Sequence, residues 1–170
     1  MGQQQTFQWK KLELGTCYYP EHWDKSLWEQ DLDRMLEHGI ATIRVGEFAW
    51  NLTEPEEGVF TFDFWDGFFD LVEKKGMKVI FGTPTATPPA WLTERYPEVL
   101  NARRDGTLYR HGMRRHYNYN SKIYQQMSCR IVEQLGQHYG KRSCIVGWQI
   151  DNELNCETDE FYSDSDTLAF

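Results

Sequence analysis

The sequence predicts an α/β fold: a closed barrel of parallel strands with helices outside, a (β/α)8 or TIM barrel of which this chain covers about the first four βα units. Three observations predict it. Short β-branched-rich runs alternate with amphipathic helical patterns, strand then helix, along the chain. The turn after the first strand reads Tyr18-Tyr-Pro-Glu21 rather than the glycine-rich phosphate loop that most often marks a doubly wound open sheet, the competing architecture. Polar and acidic residues follow each strand, which is where such a barrel keeps its functional groups.

Taken in order, Leu12 to Cys17 is the first strand, and a helix follows its loop. Ser26 and Glu29 have the spacing of a capping box, Trp28, Leu32, Met35 and Leu36 repeat at helical spacing, and Gly39 suits a left-handed stop. Ala41 to Val45 is the second strand. Asp63 to Lys75 reads as the next helix, with Asp63 as cap and Gly76 as terminator. Lys78 to Gly82 is the third strand. From Thr83 to Tyr119 the chain is irregular, broken by Pro84, Pro88, Pro89 and Pro97, with at most a short helix around Pro89 to Arg95; connections this long are usually functional. Asn120 and Ser121 cap a helix whose apolar stripe is Ile123, Met127, Ile131, Val132, Leu135 and Tyr139, ending at Gly140. Ile145 to Ile150 is the fourth strand, and the stretch from Ser163 to Phe170 resembles the cap and first turn of another helix. Residues 1–11 read as an N-terminal extension and 12–170 as the N-terminal part of one barrel domain, expected to continue beyond Phe170.

With 40% hydrophobic and 26% charged residues the chain has an ordinary globular composition. Its net charge of −8 argues against a nucleic-acid partner; the one basic cluster, Arg103, Arg104, Arg110, Arg114 and Arg115, is interrupted by Asp105 and suits a solvated or carboxylate-paired surface. Cys17, Cys129, Cys144 and Cys156 contain no C-x-x-C pair, so free thiols in a reducing cytoplasm are expected. No apolar run suggests a signal peptide or a membrane span. Seven Trp, nine Tyr and ten Phe are mostly core material, with some left to stack on a sugar ring.

The groups that could carry chemistry sit past the strands: Tyr18, Tyr19, Glu21 and His22 after the first, Arg44 and Glu47 at the second, Thr83 and Thr85 after the third, and Asp151, Asn152 and Glu153 after the fourth. Acids there can be an ordinary solvated loop. Paired carboxylates near aromatics also suit glycoside hydrolysis, one protonating the leaving oxygen and another attacking the anomeric carbon or activating water. Metal catalysis through His22, His111 and His116 competes, but no H-E-x-x-H or i, i+4 histidine pair occurs, and no G-x-S-x-G elbow supports a serine hydrolase.

Five ordered motifs narrow the choice: Cys17-Tyr-Tyr-Pro-Glu-His-Trp23, Arg44-Val-Gly-Glu-Phe-Ala-Trp50, Gly82-Thr-Pro-Thr-Ala-Thr-Pro-Pro89, Arg114-Arg-His-Tyr117 and Gly147-Trp-Gln-Ile-Asp-Asn-Glu153. Together they resemble glycoside hydrolase family 42, from about Leu12 to the end of the chain. The resemblance implies a retaining β-galactosidase that acts on terminal β-D-galactosides by double displacement and needs no cofactor. It makes Glu153 the general acid/base and gives Asn152 a hydrogen bond near the sugar 2-hydroxyl. It matches the family's active-site arginines to Arg44 and Arg114, and implies a homotrimer for the complete enzyme. The family nucleophile, a glutamate after the seventh strand, has no counterpart in these residues, so the chain alone is expected to be inactive. Many members also hold a structural zinc through a cysteine just after the Arg-His-Tyr motif; Asn118 stands there, and Cys156 is the only cysteine after Glu153, so no metal is expected. A related retaining glycosidase with another sugar preference, or a non-catalytic carbohydrate-binding half-barrel, are the alternatives.

Overall fold

The computed structural model describes residues 12–113, 115–154, 156, 158 and 160–170. Four strands, β1 (Leu14–Cys17), β2 (Ile40–Val45), β3 (Lys78–Gly82) and β4 (Ile145–Gln149), form one sheet in the order β1-β2-β3-β4. Every pairing is parallel, and the register sets Cys17 opposite Arg44, Arg44 opposite Ile80, and Gly82 opposite Gln149. All four carboxyl ends therefore open on the same side, carrying the loops that follow them to one place.

The helices cross between strands. In α1 (Lys25–Glu37) Trp28 and Leu32, one turn apart, are buried. The cap is Asp24, not the Ser26 that the sequence pattern favours: its carboxylate accepts the Ser26 amide at 2.8 Å, so the helix starts one residue before Ser26. Gly39 does leave the helix in the left-handed region, at φ 78°. A short turn, α2 (Trp50–Thr53), follows β2, where the sequence marks only a loop. In α3 (Asp63–Lys74) Trp65, Phe68, Phe69 and Val72 fall at i, i+3, i+4 and i+7 and bury one face against the sheet. Asp63 is its first helical residue rather than its cap; Phe62 holds the cap position without a side-chain bond, and the acids Asp63 and Asp66 instead meet the positive end of the helix.

The long connection after β3 is a folded excursion. It contains 3-10 turns at Pro84–Ala86 and Pro97–Val99, helix α4 (Ala90–Arg95), and antiparallel bridges joining Leu100 to Tyr117 and Ala102 to Leu108. The bridges return the chain to the strand ends before α5 (Lys122–Tyr139), where Ser121 caps by accepting the Tyr124 amide. Helix α6 (Asp164–Ala169) opens with a capping box made by Ser163 and Asp166.

Trp65, Phe68, Phe69, Phe81 and Tyr139 form an aromatic tier between α3, α5 and the sheet, with Phe69 and Phe81 edge to face at 5.0 Å and Phe81 and Tyr139 likewise at 5.5 Å. The sheet's outer strands are barer: all of β1 is exposed, as are Leu14 and Ile150. No helix among the described residues is long and apolar enough to cross a membrane.

Candidate functional site at the strand ends

Arg44 leaves the end of β2, and the chain then turns at Gly46, which takes φ 92° and lies so close to the Phe81 ring that a Cβ there would sit 2.4 Å from it. The turn lays Glu47 on Gly82: a Cβ on Gly82 would come within 2.8 Å of the Glu47 amide nitrogen and Cα. Glycines at these two positions thus let a carboxylate enter the packed end of the sheet. Glu47 is fully buried, receives the Tyr19 hydroxyl at 3.0 Å, and pairs with Arg44 Nη2 at 2.8 Å. Burial and the neighbouring Glu47 carboxylate raise the Tyr19 pKa, so this phenol stays a donor.

Arg44 also reaches across β3, donating from Nη1 to Gln149 Oε1 on β4 at 3.0 Å. Gln149 Nε2 in turn donates to the Asp151 carbonyl at 2.8 Å and to Asn152 Oδ1 at 3.1 Å. A second network centres on Asp151, which is 6% exposed. Its carboxylate accepts the Thr85 hydroxyl at 2.7 Å and the Asn152 amide at 2.6 Å, while its own amide donates to Thr83 Oγ1 at 2.8 Å. Arg115 completes it, with Nη1 at 3.3 Å from Asp151 Oδ1 and 2.6 Å from the Tyr119 hydroxyl, and Nη2 donating to the Asn152 carbonyl.

Arg115, Asp151 and Glu153 are the non-glycine residues at positive φ among those described, at 56°, 55° and 47°. Left-handed backbone is uncommon in such residues and persists where surrounding contacts over-determine it. Here Asp151 and Arg115 bond to each other on either side of the turn that presents Asn152 and Glu153. Beside it opens a cleft of about 450 Å³, bordered by Phe48, Pro88, His111, Met113, Arg115 and Asn152. His116 also borders it; burial first, then the neighbouring His111, lowers its pKa and favours the neutral ring.

The structure thus brings Arg44 and Asn152 together through Gln149 and leaves Glu153 exposed at the end of the same turn. Arg114 lies outside the described residues. The adjacent Arg115, grouped by sequence with the basic cluster, is instead buried in the Asp151 network; its place in the Arg-His-Tyr motif was the available clue. Gln149, within the apolar run Ile145 to Ile150, carries no sequence signal of its own. Asn118, where many family members have a zinc-binding cysteine, is fully buried and donates to Ser163 Oγ and Asp166 Oδ2, both at 2.6 Å, while its oxygen accepts the Asn120 amide at 2.7 Å. With its amide engaged on both sides, and no cluster of three or more metal-ligating side chains among the described residues, this position does not fit the zinc site.

Parallel βα units with a buried arginine–carboxylate network at their carboxyl ends place the chain in the class of (β/α)8 barrels with a strand-end polar site. Known proteins share this fold. Residues 17–170 match the model of glycoside hydrolase family 42, described as β-galactosidase, and the chain belongs to that family. It is 48% identical over 143 residues to a β-galactosidase of Thermus thermophilus, covering 84% of this chain and 22% of that protein. To the β-galactosidase Bga of Halorubrum lacusprofundi it is 42% identical over 160 residues, covering 94% and 23%. The crystal structure of the β-galactosidase from the psychrophilic Marinomonas ef1 superposes with a TM-score of 0.89 at 42% identity, covering 93% of this chain and 24% of that one. The chain therefore spans about a quarter of the length of the relatives it matches.

Proposed function

We propose that these residues form the first half of the catalytic barrel of a retaining β-galactosidase, with Glu153 as general acid/base and the nucleophilic glutamate supplied by the second half. The observation that carries the reading is the Asn152–Glu153 pair on a left-handed turn at the end of β4, buttressed by Asp151 and Arg115. In the first step Glu153 protonates the departing glycosidic oxygen while the nucleophile attacks the anomeric carbon. In the second it takes a proton from the water that releases galactose. Asn152 bonds the sugar 2-hydroxyl, where contacts strengthen in the transition state. Arg44 orders the end of the β4 segment through Gln149, Arg115 borders the same cleft, and Arg114 is the second arginine that the family resemblance assigns to the substrate. Closure by the second half of the barrel is what would enclose Glu153 among aromatics and adapt it to its acid role. The free cysteines and the charge pattern suit a cytoplasmic enzyme, and a homotrimer is the assembly the family resemblance implies.

The test is Glu153→Gln in the complete barrel. Galactosides with poor leaving groups should slow by roughly 10²–10⁴-fold, since they need the missing proton. An activated aryl galactoside should keep its first step, and azide should rescue its turnover as β-galactosyl azide. Equal loss on both substrates with no azide product would refute the acid/base role. A panel of aryl glycosides on the parent enzyme tests the sugar: preference for another glycoside would replace galactose in the reading, and sugar binding without turnover would replace catalysis.

A further inference from the structure

At the strand ends the buried Glu47 and the half-buried Arg44 and Gln149 are joined in a line that ends on a substrate-facing side chain, and their donor and acceptor roles leave no freedom. Gln149 is the last residue of β4 and faces Arg44 across the sheet. An amide side chain can in principle sit either way round, since its oxygen and nitrogen are similar in size. Here both neighbours are single-valued. A guanidinium only donates, so the atom 3.0 Å from Arg44 Nη1 is the Gln149 oxygen. A backbone carbonyl only accepts, so the atom 2.8 Å from the Asp151 oxygen is the Gln149 nitrogen. The second hydrogen of that nitrogen then points at Asn152, 3.1 Å away, and the atom receiving it is Oδ1.

We infer that Gln149 is a positioning residue: its amide, oriented by Arg44, fixes the Asn152 carboxamide so that Oδ1 faces inward and the N–H groups of Nδ2 face the cleft. The inference rests on the reading of Asn152 as the partner of the sugar 2-hydroxyl. Two further observations support it. Arg44 is itself held, by a 2.8 Å ion pair to Glu47, and the fully buried Glu47 is held by the Tyr19 hydroxyl, so the line has a rigid origin in the β1 and β2 loops. Asn152 borders the cleft, and its Nδ2 has no partner among the described residues, so the donors are kept for something that enters. A charged residue in strand β2 thereby determines which face of a carboxamide two strands away meets the substrate. Without Gln149 the Asn152 side chain could turn over and offer an acceptor instead.

The test is Gln149→Glu in the complete barrel. The new carboxylate keeps the contact with Arg44 but has no hydrogen for the Asp151 carbonyl or for Asn152 Oδ1, so its oxygen moves off the carbonyl and the Asn152 carboxamide reverses to donate inward and shows its oxygen to the sugar. kcat/KM is measured on an aryl β-galactoside and on its 2-deoxy analogue. The galactoside should lose on the order of 10²-fold, because contacts to the 2-hydroxyl carry several kcal/mol in the transition state. The 2-deoxy substrate, which lacks the hydroxyl, should change by less than about threefold, a difference well inside one neutral hydrogen bond. Should Gln149→Glu fail to fold, Gln149→Met, which removes the donor without adding charge, is read by the same criterion at roughly tenfold. Equal loss on both substrates would reduce Gln149 to a structural residue and overturn the inference. Asn152→Ala separates the two claims: selective loss there together with equal loss in the Gln149 variants sinks the relay alone, whereas equal loss in Asn152→Ala sinks the reading of Asn152 and the relay with it.

Discussion

Replacing Asp151 with alanine removes the group on which the β4 turn closes, and its cost can be built from the contacts. Asp151 is 6% exposed and the Arg115 side chain facing it is 5% exposed, so deleting the carboxylate leaves a guanidinium in a nearly dry site. Breaking one partner of a buried pair costs roughly 3–5 kcal/mol. Arg115 keeps the Tyr117 and Tyr119 hydroxyls and the Asn152 carbonyl as neutral acceptors, which draws the figure toward the low end of that range. Alanine at φ 55° adds about 1 kcal/mol of backbone strain that aspartate tolerates better. The expected total is about 4 kcal/mol, or roughly 10 °C in Tm for a chain of this size. Asp151→Asn accepts the same backbone and keeps one acceptor for Thr85 or the Asn152 amide, so about 2 kcal/mol is expected. Urea unfolding followed by circular dichroism gives both values. A loss below about 1 kcal/mol for alanine, or equal losses for the two variants, would show that the turn does not depend on the buried pair.

Two pH-linked predictions follow from groups beside the site. Both Glu21 carboxylate oxygens are buried without a partner among the described residues, and burial raises its pKa above the ordinary 4.5. The unfolded chain releases this proton first, so Glu21 destabilises the fold as pH rises above 4.5; Glu21→Gln should be the more stable protein at pH 7 and lose that advantage below 4.5, and a destabilised variant at pH 7 would refute the account. His116 behaves in the opposite sense: its pKa lies below 6.5 in the fold, chiefly through burial, so the contribution is intact above 6.5 and declines as pH falls below it, when the unfolded chain takes up a proton first. Relative to the parent, His116→Gln should flatten the stability profile below pH 6.5 in chemical denaturation, and parallel profiles would count against a neutral buried ring.

Much of the fold was legible because burial imposes period. Trp65, Phe68, Phe69 and Val72 could form a single face only on a helix, and the apolar runs at Ile43 and Val79 could be buried only in a parallel sheet. Helix starts were less legible, since Asp24 and Ser26 offer competing caps and only the folded backbone decides between them. The site divides in the same way. Arg44, Asn152 and Glu153 stand next to strand ends, so locating the strands locates them. Arg115 reaches the site only because a long excursion bends back through the bridge from Leu100 to Tyr117 and then takes a left-handed φ, neither of which has a period to read. Gln149 looks like one polar residue in an apolar strand until the register sets it at the level of Gly82 and within reach of Arg44.

The order β1-β2-β3-β4 has a consequence for how such a protein is made. From β2 to β4 each strand finds a hydrogen-bonding neighbour in the one synthesised just before it, so only the outer edge of β1 waits for the strand that closes the barrel. Vectorial assembly of this kind keeps contacts local in sequence and favours domains that fold from the N-terminus during synthesis. The growing edge of the sheet moves with the newest strand, and it is at that edge, on the turn after β4, that the Arg115 delivered by the preceding excursion is already in place to receive Asp151.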